Sequence, residues 1–185
     1  MFIENLSLLN FRDYDELHIK FDKATNLLYG DNAQGKTNII EAIYMCSSGK
    51  SHKGSKDREI ISFNKDESHI KARISKKDIP YVIDVHLKKN NPKGIAINGL
   101  PIRKASELFG VMNVICFSPE DLNIIKEGPA GRRRFIDMEL CQLSPVYVKE
   151  LINYNKTLIQ KNRLLKELDF RRDLEEMLDI YDIQL

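Results

Sequence analysis

The chain has no apolar run that approaches the roughly 20 residues a membrane-spanning helix needs, so we expect no membrane segment. Its first residues, Met1–Glu4, lack a basic segment and lead directly into a strand-like pattern, which argues against a secretory signal. Cysteine is scarce: Cys46, Cys116 and Cys141 are odd in number, far apart and in apolar surroundings. They are typical of reduced thiols in a cytoplasmic protein, and we expect neither a disulfide nor a metal site from them.

Metal-ligand spacing is also missing, because the four histidines, His18, His52, His69 and His86, stand apart from one another in the sequence. The sequence alone therefore assigns them no metal site. What the chain does have is the composition of a globular protein, with 42% hydrophobic and 30% charged residues. Its 185 residues are enough for one sizeable domain, or for one domain with a helical appendage.

A large excess of one charge sign is missing as well, since the net charge is only +2. The distribution of charge is more informative than its sum. Two basic groups stand out, and each is a candidate for binding phosphate, either of nucleotide or of nucleic acid such as DNA. A solvated face balanced by nearby acids is the alternative. The candidates are Lys53 and Lys56 in a first group that also holds Lys50, His52 and Arg58, and Arg132 and Arg133 in a second group with Lys126 and Arg134.

The stretch from Gly30 to Thr37 is the most informative motif in the chain. It matches the phosphate-loop pattern G-x-x-x-x-G-K-[ST] at every fixed position. Such a loop follows a strand and opens a helix, and the short apolar run Thr25–Tyr29 predicts the buried strand. After the loop, apolar residues recur at helical spacing and predict a helix with one buried face. They are Ile39, Ala42, Ile43 and Cys46.

The chemistry of phosphate binding explains the residue types in this loop. Consecutive backbone N–H groups at a helix N-terminus offer several donors to one anion, and glycines let the backbone approach it. We expect Lys36 to reach the β- and γ-phosphates of ATP, and the hydroxyl of Thr37 to ligate Mg²⁺. A glycine-rich turn that carries Lys and Thr by chance is the alternative. The candidate nucleotide-binding residues are Gly30, Asp31, Asn32, Ala33, Gln34, Gly35, Lys36 and Thr37.

Strand-like alternation dominates the rest of residues 1–117. Alternation on both sides of Asn10–Tyr14 predicts a hairpin. Further alternation at 70–74, 81–87 and 95–97, followed by the two-residue turn signal Asn98-Gly99, predicts an antiparallel meander. The nearly continuous apolar run Val111–Phe117 predicts a strand buried on both faces.

From residue 118 onward the pattern is helical. Ser118–Asp121 carries a capping serine, a proline and acids, which are start signals for a helix. We predict an interruption at Gly128–Gly131 and a further helix over Arg132–Leu143, after which Ser144-Pro145 repeats the start signal. The chain is therefore divided into a lobe at 1–117 that holds the phosphate loop and the beginning of a helical lobe at 118–185.

The helix predicted after Pro145 carries a heptad seam that is interrupted only by Lys161. A second helix, after a break near Asp169–Arg172, continues the spacing and has no stop signal, so we expect the chain to end within a structure. Packing inside the chain is favoured over dimerisation as the use of this seam. Its residues are Tyr147, Leu151, Tyr154, Leu158, Lys161, Leu165 and Leu168, followed by Leu174, Leu178, Tyr181 and Leu185.

Several stretches together make the whole chain similar to the RecF family of bacterial recombinational-repair ATPases, which are related to SMC proteins and ABC-type ATPases. A phosphate loop fits many families, whereas the segment at 117–122 with the arginines that follow it is nearly diagnostic of this one. The stretches are Leu9–Tyr14 (LNFRDY), Gly30–Glu41 (GDNAQGKTNIIE), Lys50–His52, Asp57–Glu59, Ile97–Gly99, Phe117–Leu122 (FSPEDL), Gly128-Pro129 and Arg132–Asp137 (RRRFID).

The resemblance implies an ABC-type P-loop ATPase head of the mixed α/β class, in which a mixed or antiparallel sheet lobe precedes a helical lobe. It implies that ATP drives dimerisation of two heads, and that the protein binds DNA at single-strand gaps. Recombinase loading with RecR- and RecO-like partners during repair and the SOS response is implied as well. By motif position, Arg12 would lie near the phosphates and Asn32 near the γ-phosphate. A loop arginine in water is the alternative for Arg12.

The chain departs from the family pattern in its catalytic parts. Members of the family are usually much longer, and the additional half carries the signature motif, the Walker B acids and the switch histidine. No run of four apolar residues followed by Asp-Glu occurs in these 185 residues. We therefore place no catalytic residue in this chain and expect weak, DNA-stimulated ATPase activity only from an intact protein. No glutamine stands at 116–122, which leaves the residue that senses the γ-phosphate open.

Two other functions fit a phosphate loop. A small-molecule kinase is expected to have a compact parallel sheet, and the antiparallel alternation argues against it. A non-catalytic interaction module would use the heptad seam to bind a partner protein, and nucleotide would only stabilise its fold.

Overall fold

The architecture is that of a computed structural model, which describes residues 1–118, 128–167 and 175–184. The chain divides into two units, Met1–Asp121 and Leu122–Leu185. The first unit is built on a β-sheet with a helix against one face, and the described residues of the second unit are helical. Within the described ranges, no helix is both long and apolar enough to cross a membrane.

Six strands form one sheet in the first unit, in the order β2-β1-β3-β4-β5-β6, and each neighbouring pair is antiparallel. The predicted hairpin across Asn10–Tyr14 and the predicted meander are confirmed. A sheet of this kind differs from the parallel sheet expected of a small-molecule kinase. The strands are β1 (Phe2–Phe11), β2 (Tyr14–Lys20), β3 (Glu67–Lys76), β4 (Ile79–Lys88), β5 (Gly94–Ile97) and β6 (Leu100–Pro101).

Two-residue turns set the register of the meander. The β5–β6 turn has Asn98 at φ 51° and Gly99 at φ 78°, the pair of positive dihedrals that a type I′ hairpin turn requires. The Asn-Gly signal is therefore confirmed. The β3–β4 turn has the same geometry at Lys77 and Asp78, with φ of 50° and 62°, and contains no glycine. Its sequence therefore gave no comparable turn signal.

Helix α1 (Lys36–Ser48) packs on one face of the sheet. The predicted buried stripe is confirmed for Ile39, Ala42 and Cys46, and Ile43 is partly buried beside them. Because side chains alternate along a strand, every second residue of β1, β3 and β4 points to this face. Burial of each large aliphatic side chain is worth about 1.5–3 kcal/mol, which holds the helix on the sheet. The sheet contributes Leu6, Leu8, Ile70, Ala72, Ile74, Ile83, Val85 and Leu87.

Two predicted strands do not form. Thr25–Tyr29 carries no strand assignment, and Leu27 and Tyr29 are 81% and 86% exposed. Val111–Phe117 is likewise irregular: Met112 is buried, whereas Ile115 and Phe117 are exposed. A strand needs a neighbouring strand to satisfy its backbone groups, and the described residues place none beside either segment. Apolar composition alone is therefore not sufficient to predict a strand in either segment.

Short helices and turns complete the first unit. Helix α2 (Asp57–Ile60) follows α1 in the chain, and a 3-10 helix at Ala105–Leu108 follows the meander. Ile60 and Leu108 are fully buried in the same core as α1, so both segments are anchored by an apolar side chain at their C-terminal end.

Three described helices make up the second unit: α3 (Pro129–Leu143), α4 (Pro145–Glu167) and α5 (Glu175–Gln184). The Ser144-Pro145 start signal is confirmed, because Ser144 Oγ accepts a hydrogen bond from the Tyr147 N–H at 3.2 Å. The helix predicted over Arg132–Leu143 is confirmed and starts earlier than expected. Of the predicted interruption at Gly128–Gly131 only Gly128 is non-helical, since Pro129 opens α3 and Gly131 lies in its first turn. Proline suits that first helical position, where its missing N–H has no partner to lose. The start signal at Ser118–Asp121 and the break near Asp169–Arg172 lie mostly or wholly outside the described residues.

Helix α4 packs against α3 and α5. Lys161, which interrupts the seam, forms an ion pair with Asp182 of α5. The buried face is offset from the predicted seam, because Tyr154 and Leu165 are 47% and 43% exposed. A helix with a neighbour on either side buries a wider stripe than a two-helix seam does. The buried residues of α4 are Val148, Thr157 and Leu164.

Candidate phosphate-binding site

The loop from Gly30 to Thr37 leads into the first turn of α1. Gly35 is the residue at the N-cap, with φ 78° and ψ 4°, and its carbonyl oxygen accepts the N–H of Asn38 at 2.8 Å. Gly30 to Gln34 and Thr37 are exposed to solvent. The N-terminal end of a 13-residue helix, with its N–H groups and positive dipole end, is thus open to an anion.

The side chain of Lys36 folds back along the loop. Its Nζ donates hydrogen bonds to the carbonyl oxygens of Gly30, at 2.8 Å, and Asp31, at 2.5 Å. The Lys36 side chain therefore reaches from the end of the loop back to its first residues. A point charge held at that place can exchange carbonyl oxygens for phosphate oxygens with a small rotation of the side chain.

Tyr14, at the start of β2, covers Gly35 closely. A Cβ atom on Gly35 would lie 2.6 Å from Tyr14 Oη and 2.8 Å from its Cζ, so the Tyr14 ring would have to shift to make room for it. Tyr14 Oη also donates a hydrogen bond to the Gln34 carbonyl oxygen at 3.1 Å. Burial, with the charge of Asp13 in addition, raises the pKa of Tyr14, so the phenol keeps the proton that it donates. Gly35 is therefore required both for its left-handed backbone and for the space that Tyr14 occupies.

The next two contacts of the β1–β2 turn reach further along the same helix. Asp13 Oδ2 accepts a hydrogen bond from Asn38 Nδ2 at 2.8 Å. Arg12 forms an ion pair with Glu41, from its Nη2 to Oε1 at 2.7 Å and from its Nε to Oε2 at 3.0 Å. Positions 38 and 41 are spaced to lie on one face of α1, and Gln34 lies just before the helix. Three consecutive turn residues thus fasten the loop and the first turns of α1 to the sheet.

Glu41 is a fully buried carboxylate that the sequence did not reveal. Besides Arg12, it accepts a hydrogen bond from Ser51 Oγ at 2.5 Å, and Lys53 Nζ lies 3.7 Å from its Oε2. Burial alone would raise the pKa of Glu41. The hydrogen bonds from Arg12 and Ser51, with the charges of Arg12 and Lys53, outweigh that effect and lower the pKa. Glu41 therefore stays ionised and organises the cations around it.

Arg12 also donates hydrogen bonds to partners other than Glu41. Its Nη2 also donates to Ser55 Oγ at 2.7 Å, and its Nη1 donates to the Glu59 carbonyl oxygen at 2.9 Å. The backbone of Arg12 has φ 53°, and its N–H donates to the Ile60 carbonyl oxygen at 2.7 Å. The guanidinium group thus joins the β1–β2 turn to α1 and to the segment around α2. A contact between Arg12 and phosphate stays a prediction.

The structure separates the DNA-binding candidates. Lys53 and Lys56 are exposed in the segment after α1, where Lys53 faces Glu41 and the Lys56 N–H donates to Glu59 Oε2 at 3.0 Å. Arg132 and Arg133 are exposed near the start of α3, in the second unit. The first two residues thus lie near the helix that the phosphate loop opens.

These residues fit a nucleoside triphosphate with its metal ion. The exposed backbone of residues 30–34, the N-terminal end of α1 and Lys36 suit phosphate oxygens. Thr37, exposed at the start of α1, offers one hydroxyl oxygen for Mg²⁺. Asp13, which contacts α1, and Glu41, which belongs to it, already accept hydrogen bonds from Asn38 and Arg12 respectively.

The chain matches a known family model over nearly its whole length. The model is described as an AAA domain, and it covers residues 5–184. Proteins named "DNA replication and repair protein RecF" are similar along all of this chain. The one from Agathobacter rectalis is 60% identical over 185 residues, and the one from Lachnoclostridium phytofermentans is 58% identical over 185 residues. The chain spans 51% of each of these relatives, or about half of their length.

Solved structures agree with this assignment. A structure described as the recombination mediator protein RecF with ATP in the RecFOR pathway is 35% identical, with a TM-score of 0.91 over 100% of this chain and 50% of that one. A structure from work on ATP-driven dimerization and DNA-stimulated activation of SMC ATPases is 22% identical, with a TM-score of 0.60 over 75% of this chain. The second likeness concerns the fold alone. The expected ABC-type P-loop fold of the mixed α/β class is confirmed. The chain belongs to the AAA domain family, and along its whole length it is similar to RecF proteins, of which it spans about half.

Proposed function

We propose that this chain is the nucleotide-binding part of an ATP-dependent DNA-repair protein of the RecF type. The observation that carries the proposal is the loop geometry. Lys36 lies along a glycine-bounded loop whose last glycine is fixed under Tyr14 at the start of a long helix. Support also comes from the RecF structure that is described with ATP, whose fold follows the whole of this chain.

In this proposal the residues of the loop have separate roles. The backbone N–H groups of residues 30–36 and the end of α1 hold the β- and γ-phosphates, with Lys36 as the countercharge. Thr37 contributes one oxygen to Mg²⁺. Asn32, exposed in the loop, lies near the γ-phosphate, and Arg12 lies beside the phosphates while it holds Glu41. The first unit is the ATP-binding lobe, and the second unit is the beginning of the helical lobe.

The activities of the whole protein need more than these residues. We propose that the intact protein dimerises when it binds ATP, binds DNA at single-strand gaps, and helps to load recombinase together with RecR- and RecO-like partners. Support comes from the relatives named as DNA replication and repair proteins and from the solved neighbour described within the RecFOR pathway. Lys53, Lys56, Arg132 and Arg133 are the proposed DNA contacts, because all four are exposed cations.

Hydrolysis is expected to be weak and stimulated by DNA. Phosphoryl transfer to water needs a residue that positions the attacking water, and the nearby carboxylates of Asp13 and Glu41 already have hydrogen-bond partners. We therefore assign the role of catalytic acid to neither Asp13 nor Glu41.

The test of the proposal is a Lys36→Ala substitution in the full-length protein. Loss of a charged hydrogen-bond donor to phosphate is worth about 1.5–3 kcal/mol, so we expect ATP affinity to fall roughly 10- to 100-fold. Binding is measured by titration with a fluorescent ATP analogue and Mg²⁺. Lys50→Ala, an exposed lysine just after α1, is the matched control and should bind as the wild type does. Unchanged affinity in the Lys36 variant would show that the site assignment is wrong.

A further inference from the structure

Two histidines that are far apart in the sequence meet on the face of the sheet opposite α1. His69 of β3 and His86 of β4 are direct partners in the antiparallel register. Their neighbours Ile70 and Val85 point into the core under α1, so the histidines point to the other face. Glu67 precedes His69 by two residues and therefore shares that face. Spacing along the chain gave no sign of this cluster, because only the strand register creates it.

The three side chains are close enough to share one ion. The rings of His69 and His86 are stacked, with centroids 3.8 Å apart and planes 21° from parallel. His86 Nε2 lies 2.8 Å from Glu67 Oε2. One ligand atom from each of the three residues lies within 4.8 Å of the other two. Ligands at tetrahedral angles around zinc are roughly 3.4 Å apart, so modest side-chain rotations bring all three into range.

The electrostatic surroundings favour the metal-binding form of the His69 imidazole. Partial burial and the neighbouring His86 lower the pKa of His69, with a smaller contribution from Lys88, while Glu67 and Asp84 act in the opposite direction. A neutral imidazole has a nitrogen lone pair to offer a metal. Glu67 has a lowered pKa, through its hydrogen bond with His86 and the charge of Lys88, and is thus a carboxylate at neutral pH.

The ligand types select the kind of metal. Two imidazole nitrogens and one carboxylate oxygen suit zinc, nickel or copper, whereas magnesium prefers oxygen ligands alone. Three protein ligands leave a coordination position for water. We propose that Glu67, His69 and His86 bind one divalent transition-metal ion of the zinc class. This site is separate from the nucleotide's magnesium, because it lies on the other face of the sheet from α1.

The experiment uses full-length protein that carries no polyhistidine tag and no nucleotide. Zn²⁺ is titrated in competition with a chromophoric chelator. We expect the protein to bind one equivalent of Zn²⁺ tightly, and we expect this binding to require Glu67, His69 and His86. His86→Gln and Glu67→Gln should each weaken it by at least about 10-fold. His18→Gln is the matched control. His18 is an exposed strand histidine whose ring nitrogens contact Ser7 and Glu16, the latter at 3.0 Å, and neither of these neighbours is a second histidine. It should leave Zn²⁺ binding unchanged.

Two further measurements keep the result unambiguous. Circular dichroism of each variant shows whether the sheet is intact, and all three residues are on the outward face, where glutamine is tolerated. The absorption spectrum of the Co²⁺-loaded protein reports the ligands and should lack thiolate charge-transfer bands. Thiolate bands would overturn the proposal by assigning the ion to cysteine. A folded His69→Gln/His86→Gln variant that keeps the wild-type stoichiometry and affinity would overturn it as well.

Discussion

The carboxylate of Glu41 is charged although its side chain is fully buried. Arg12 makes two of its hydrogen bonds, and the Arg12 side chain is itself only 20% exposed. A buried pair of this kind adds little net stability compared with an apolar pair. Loss of one partner is costly, because the other charge is left without compensation. Replacement of either residue should therefore disturb the position of the β1–β2 turn relative to α1.

Arg12→Ala should reduce the free energy of unfolding by about 3–5 kcal/mol, because it leaves the Glu41 charge buried with fewer donors. Arg12→Lys should recover only part of this loss, since an ammonium group cannot form the paired contacts of a guanidinium. The measurement is urea unfolding followed by circular dichroism. The matched control is Arg73→Ala, whose side chain is 55% exposed and 2.9 Å from Glu4. An exposed pair is worth about 0–1 kcal/mol, so equal losses in Arg12→Ala and Arg73→Ala would contradict the prediction.

The pKa of Glu41 also predicts a dependence of stability on pH. An unfolded glutamate has a pKa of about 4.3, and the folded value is lower, so the unfolded state takes up a proton first as the pH falls. The contribution of Glu41 to stability is therefore complete above the unfolded pKa and is lost as the pH falls through the folded pKa. Unfolding free energies measured between about pH 6 and pH 3 should decline more steeply for the wild type than for Glu41→Gln. Parallel curves for the two proteins would rule out this role.

At the scale of elements, the junction of the loop and α1 depends on Gly35. Gly35→Ala adds left-handed backbone strain of about 1–2 kcal/mol and a Cβ atom within 2.6 Å of Tyr14 Oη. We expect both a lower melting temperature and ATP affinity weakened by about tenfold or more, since a 1.4 kcal/mol loss is already tenfold. Calorimetry and nucleotide titration measure the two effects.

Gly54→Ala separates backbone strain from the clash with Tyr14. Gly54 has a similar φ of 74°, and a Cβ atom there would meet nothing within 4 Å. This variant should lose only the strain contribution and keep its nucleotide affinity. If Gly35→Ala bound nucleotide as well as Gly54→Ala does, the close approach of Tyr14 would have no role in shaping the loop.

The elements that sequence predicted correctly are those with local signals. The helix after Gly35, the meander and the turn at Asn98-Gly99 each follow from spacing within about 15 residues. Glu41 could not be recognised in this way, because its partner Arg12 is 29 residues distant and a charged helical residue is normally solvated. The strand predicted at Thr25–Tyr29 was wrong for the converse reason: its local pattern is apolar, and strand formation depends on a neighbour elsewhere in the chain.

At the scale of the whole molecule, the proposed function requires two copies of the protein. ATP with Mg²⁺ should shift the full-length protein from monomer to dimer in sedimentation velocity, whereas Lys36→Ala should remain monomeric under the same conditions. A small-molecule kinase would stay the same size with and without nucleotide. A sedimentation coefficient for the wild type that is independent of ATP would contradict the proposed dimerisation.

The β1–β2 hairpin has a further consequence for how this protein can vary. Its turn places Arg12, Asp13 and Tyr14 opposite Glu41, Asn38 and the Gly35 region in that order. A hairpin by itself tolerates extra residues at its tip, because the strands can still pair. Here an inserted residue would move at least one of these three side chains away from its partner in α1 or at the start of α1. The length of this turn is therefore fixed by the phosphate loop it supports. Insertions and deletions should be tolerated better in the other turns of the sheet than in this one.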